Sequence, residues 1–208
     1  MKAFILSFAL GLMPVCAHGA DEVIRIYHRF QHQPPAYVLA AVERELALLM
    51  RPVGLELDWR PFASAAGTEV SVELVIVDFE GTCDVGDLRS GGTYSGTLGS
   101  TNITDGAIMP YVNIRCDGVR RLVWPDLVLL PPSARAAAYG RAVARVMAHE
   151  LYHVFSKSTV HDSSGLAKAR FTVRDLLSKR LEFNRKQRAL LRAYGVYLTG
   201  RVPQPSGN

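Results

Sequence analysis

Apolar residues in this chain change their spacing several times, and each change marks an element. Ile24 and Ile26 alternate with polar neighbours over Val23–Arg29, the two-residue period of a strand. Pro34-Pro35 then opens a helix over Pro35–Met50. Val38, Val42, Leu46 and Leu49 form its apolar stripe, and Pro52 with Gly54 stops it. Leu55, Leu57 and Trp59 share one side of a second strand, Leu55–Arg60, and Val70–Phe79, apolar nearly throughout towards its end, predicts a central strand. From Gly81 to Leu130 the composition shifts to Gly, Ser, Thr and Asn with no helical period. Within it Asp105-Gly106, between Thr97–Ile103 and Ala107–Cys116, predicts a hairpin.

A long helix follows. Pro131-Pro132-Ser133 starts it, with Ser133 as the expected N-cap. Val143, Met147, Leu151 and Val154 make one apolar face, and Arg135, Arg141 and Arg145 fall away from it. Ala138, Ala142 and Val146 lead up to His149 and His153. Beyond a non-helical Ser156–Val160 connection, Thr172 and Asn184 each offer a helix cap, and Gly195 reads as a C-terminal stop.

Within the long helix lies His149-Glu150-Leu151-Tyr152-His153, an HExxH motif. Two histidines four residues apart on a helix sit one turn above each other, so both imidazoles can reach one metal ion. Zinc suits nitrogen ligands, and a catalytic zinc keeps one position for a water whose pKa falls to about 7. Glu150 is then placed to act as general base in peptide hydrolysis. The plainer reading is a pair of core or surface histidines on an amphipathic helix.

The motif and its apolar HELYHVF form resemble the zincin metallopeptidases, and they also resemble secreted bacterial proteins of similar length. The resemblance implies an α+β, zincin-like fold: a mixed twisted sheet with a backing helix and an active-site helix, followed by a small helical C-terminal part. It also implies a sheet-edge strand that pairs with extended substrate, a part the hairpin around Thr97–Thr101 could play. The metzincin form HExxHxxGxxH is not met, because Ser156 and Thr159 occupy the Gly and third-His places and no Met follows Met147. His161, two residues late, is the first choice of third ligand. Glu182, the only Glu beyond Glu150, is the second, with Asp162 or no protein ligand after them.

Composition adds compartment and partners. Lys2 followed by an apolar Ala3–Val15 run and small residues at Ala17, Gly19 and Ala20 predict a signal peptide over residues 1–20. The remaining residues 21–208 read as one domain, secreted or periplasmic, with no transmembrane segment. Export leaves Cys83 and Cys116 as an even pair, expected to form a disulfide, while the alternative is two unpaired buried thiols. The chain carries a net charge of +5, with a basic C-terminal segment. That segment reads first as a solvated helix face and second as a source of weak attraction to an anionic surface or acidic substrate, and it lacks the aromatic interleaving of a nucleic-acid groove.

The expectation is a monomeric secreted metallopeptidase with one Zn2+, His149, His153 and His161 as ligands, Glu150 as base, and a peptide or protein substrate. Tyr194, Tyr197 or an Arg are candidates for the oxyanion stabiliser, which the sequence does not assign. Two alternatives stand beside it: a non-catalytic zinc-binding or interaction protein on the same scaffold, and a basic surface-binding module whose HExxH is incidental.

Overall fold

The computed structural model describes residues 22–65, 73–86 and 94–198; the signal-peptide segment lies outside them. The chain runs β1 (Glu22–His32), α1 (Ala36–Met50), β2 (Leu55–Pro61), β3 (Leu74–Thr82), β4 (Gly99–Thr104), β5 (Ala107–Arg115), α2 (Cys116–Leu127), α3 (Pro132–Ser156), α4 (Val173–Leu177) and α5 (Arg185–Leu198). The five strands form one mixed sheet in the order β2-β1-β3-β5-β4. β1, β2, β3 and β5 pair in parallel, and β4 returns antiparallel along β5 to form an edge.

Alternation decides the two faces of this sheet. Ile24, Ile26, Val75, Val77, Phe79, Val112 and Ile114 are buried together with the apolar positions of α1, α2 and α3. The opposite face carries charges that pair across and along strands, such as Arg29 with Asp78 and Arg60 with Asp58. α1 lies directly against α3 at Gly140. A Cβ there would fall 2.5 Å from that of Ala41, so only glycine permits this approach. The architecture is therefore the expected α+β arrangement of a mixed sheet, a backing helix (α1), a central helix (α3) and a small helical C-terminal part.

Several local expectations are corrected. The stretch read as lacking helical period contains α2, where Cys116, Val119, Val123 and Leu127 are fully buried at helical spacing. Gly118 and Pro125 inside it hide the pattern, and the helix follows β5 with no turn between them. Ser133 does not cap α3, which begins at Pro132 with Pro131 in the cap position. Gly195 does not end α5 but lies buried within it, where an added Cβ would touch Leu55. Arg145 does not turn to solvent: it is 1% exposed. Cys83 and Cys116 are bonded, with Cα atoms 4.8 Å apart, and tie the end of β3 to the start of α2. Closing a loop of this length removes denatured-state entropy worth about 3–4 kcal/mol.

Candidate metal centre

The second half of α3 is buried all round, so its polar side chains must find partners or a ligand. The helix ends at Lys157, which adopts a left-handed conformation with φ 49°, and the chain doubles back. Two carbonyls on the returning segment fix the histidines. His149 Nδ1 donates to the Leu166 carbonyl at 2.8 Å, and His153 Nδ1 donates to the Ser158 carbonyl at 2.6 Å. A carbonyl oxygen can only accept, so each proton resides on Nδ1 and each Nε2 of a neutral ring presents a lone pair.

Those lone pairs meet. The two Nε2 atoms are 3.1 Å apart, and His161 Nε2 lies 3.3 Å from that of His149. No two ligand atoms of the three residues are more than 4.8 Å apart. Three nitrogens about 2.0–2.1 Å from a tetrahedral zinc would be about 3.3 Å from one another, so this donor set fits that ion. Burial pushes the His149 pKa down to about 4 and lowers that of His153, so both rings are neutral at pH 7, the form a metal requires.

Glu150 is placed by the edge strand. The Thr101 hydroxyl on β4 donates to Glu150 Oε2 at 2.8 Å and sits 3.1 Å from the Glu150 carbonyl. At Gly99 a Cβ would lie 2.9 Å from both Glu150 Oε1 and Val146 Cγ1, so glycine lets β4 approach α3. Burial pushes the Glu150 pKa up to about 7, against the Thr101 hydrogen bond. A basic carboxylate poised near neutrality is suited to proton transfer.

The loop carrying His161 is anchored from α5. Gln187 is fully buried, and its amide nitrogen donates to Asp162 Oδ2 at 2.9 Å and to the Ser164 carbonyl at 2.8 Å. Its oxygen accepts from the main-chain N–H of Asn184 at 3.0 Å, while Asn184 Oδ1 accepts from the N–H of Gln187 at 2.9 Å. This is a capping box turned to a second use. Gly165, at φ 75°, permits the tight turn, because a Cβ there would meet Gln187 Oε1 at 2.5 Å.

The alternatives for the third ligand lie elsewhere. Glu182 is exposed and faces Arg188 at 3.6 Å, and Asp162 bonds Lys186 and Gln187. Tyr194 stacks on Phe155 and bonds Glu73, while Tyr197 is 79% exposed; neither of these two candidates for oxyanion stabiliser lines the cleft. Sequence reasoning placed Thr97–Thr101 at the substrate edge but missed the contacts of Thr101 and Gly99 with Glu150, and it missed Gln187 altogether. A glycine in an edge strand and the N-x-x-Q spacing were the available signals.

The histidines and Glu150 open into a cleft of about 740 Å³ bordered by β4 on one side and the Lys168–Phe171 stretch on the other. Ile103, Ile108 and Leu122 supply apolar lining. Among the described residues no helix is long and apolar enough to cross a membrane.

No protein-family model matches the chain, and no curated protein matches it. Among solved structures, archaemetzincin from Methanopyrus kandleri is similar, with a TM-score of 0.46 and 13% sequence identity over 86% of this chain and 98% of that one. The chemistry of the site rests on its own side chains.

Proposed function

We propose that this chain is an exported zinc-dependent metallopeptidase, with His149, His153 and His161 as the ligands of one zinc ion and Glu150 as general base. One observation carries the reading: two imidazole lone pairs, each fixed by an Nδ1–carbonyl bond, face each other at 3.1 Å beside a buried carboxylate in an open cleft. Two acceptors that close repel unless a cation lies between them. Bound zinc would supply an acidified water and polarise a carbonyl.

The chain's own residues supply the rest. Thr101 occupies Glu150 Oε2, which leaves Oε1 to take the proton of the attacking water and deliver it to the leaving amine. β4 is an edge strand beside this carboxylate, so an extended peptide can align against it by main-chain pairing. The Cys83–Cys116 disulfide supports an oxidising compartment.

The test is hydrolysis of an unfolded protein substrate by the purified chain. Cleavage should require zinc, stop with a chelator and return when zinc is restored. A chain that binds zinc yet cleaves nothing across a broad peptide library would instead be a zinc-binding scaffold without turnover.

A further inference from the structure

The walls of the cleft differ in charge. On the β4 side Gly96, Thr97, Leu98, Gly99 and Thr101 are small or neutral. On the other side Phe171 packs edge-on against the His149 ring, with centroids 5.4 Å apart, and Lys168 and Arg170 bring two cations next to it. Glu150 is the single carboxylate lining the cleft among the described residues, and Thr101 already engages one of its oxygens.

The two cations are not equivalent. Lys168 lies 2.5 Å from Asp175, the acid of the α4 capping box, and is neutralised there. Arg170 is exposed to the cleft, and no described residue hydrogen-bonds to it or pairs with it. Arg174, Lys179 and Arg180 are also exposed, but they do not line the cleft. A guanidinium stays charged at any physiological pH and binds a carboxylate through two parallel hydrogen bonds. Arg170 shares the cleft with the apolar Ile103, Ile108 and Leu122, and a charge in a cleft with apolar lining attracts opposite charge more strongly than one on an open surface.

We propose that Arg170 selects peptides that bring a carboxylate near the scissile bond, an inference that rests on the metallopeptidase reading of the site. The carboxylate can come from an Asp or Glu side chain or from the free C-terminus of a short peptide. The main chain is oriented by β4 and the chemistry is confined to the histidines and Glu150, so Arg170 acts on affinity and substrate choice rather than on the reacting bond.

The experiment uses the zinc-loaded Glu150→Gln variant, which retains its ligands and lacks the base, so that peptide binding is read without turnover. Fluorescent peptides are compared in pairs, with Glu against Gln at each position around the expected cleavage point and a free against an amidated C-terminus. At one of these places the carboxylate member should bind about five-fold more tightly, the upper end for an exposed pair, and the difference should shrink with added salt. Adding Arg170→Glu should reverse the preference towards peptides with Lys at the same place. Equal binding of all pairs, or a preference that survives Arg170→Glu, overturns the assignment. Hydrolysis by the wild-type chain separates the two claims. Cleavage of acidic and amide peptides with equal kcat/KM overturns charge selection alone. A chain that cleaves neither while its variant keeps the preference leaves Arg170 as a carboxylate-binding residue and overturns the peptidase reading.

Discussion

Two buried polar clusters sit one turn apart on α3, and they are resolved in opposite ways. Arg145 closes on the chain itself: its guanidinium lies 3.2 Å from Glu45 on α1 and donates to the carbonyls of Asp175 and Leu176 at 2.7 and 3.0 Å. It clamps α1 and α4 to the central helix, with only Nε left without a partner. His149 and His153 bond the chain through Nδ1 alone and turn their Nε2 lone pairs towards each other. Burial is similar, at 1% exposed for Arg145 and 8% and 6% for the histidines, so burial does not tell structural from functional polar groups. What distinguishes them is whether the chain supplies complementary partners. A donor set that meets carbonyls and a carboxylate is structural, whereas an acceptor set that converges is one that could hold a cation.

That contrast can be broken by substitutions on either side of it. Glu150→Gln should keep the fold and zinc but lower kcat for peptide hydrolysis by about 10²–10⁴-fold, measured on matched zinc-loaded samples. Equal rates would remove Glu150 from the mechanism. Arg145→Ala should do the reverse, costing about 2–4 kcal/mol of folding stability in denaturant titrations, because the carbonyls of Asp175 and Leu176 lose their donor and Glu45 is left with Arg141 alone, at 3.5 Å. A loss below about 1 kcal/mol would show that the ion pair is not what joins α1 to α3.

A smaller effect tests the anchor of the His161 loop. Gln187→Leu removes the two buried amide hydrogen bonds to the Asp162–Ser164 turn and leaves Lys186 on Asp162 and Asn184 on the Ser164 carbonyl, so zinc affinity should fall by about 10-fold, the low end for residues that orient metal ligands. An unchanged affinity, with stability alone affected, would mean that the His161 loop holds itself.

The smallest effect is one of pH. Burial alone would raise the Asp175 pKa, but hydrogen bonds from Lys168 and Thr172 outweigh it, and the folded-state value lies below 3.8. A depressed acid contributes stability that is fully present above its unfolded pKa and is lost as pH falls through the folded one. Asp175→Asn should therefore lower Tm at neutral pH by the equivalent of about 1 kcal/mol, and the gap from wild type should close below pH 3.8. A gap independent of pH would assign the loss to packing.

Legibility in the sequence follows the range of the interaction. β1, α1 and the hairpin were readable because alternation, the stripe from Val38 to Leu49 and Asp105-Gly106 are local signals, and His149 and His153 were readable because helix geometry fixes their spacing. α2 was hidden by Gly118 and Pro125, whose propensities oppose the helix that tertiary burial of Val119 and Val123 enforces. Arg145 was misplaced because an arginine on a helix is ordinarily solvated, and nothing near it in sequence reveals Glu45, a hundred residues away. Thr101 and Gln187 belong to the same class. Each acts across about 25–50 residues, on Glu150 and Asp162, through contacts that only the folded chain creates.

The central claim is that His149, His153 and His161 form one zinc site. Its most direct test is zinc content after dialysis against a weak chelator, measured for wild type, His153→Ala, His161→Ala and Glu182→Gln, each checked for folding by circular dichroism. Wild type and Glu182→Gln should retain one zinc per chain, and both histidine variants should lose it. A zinc-free wild type, or a His161→Ala variant that keeps its zinc while Glu182→Gln loses it, would contradict the account.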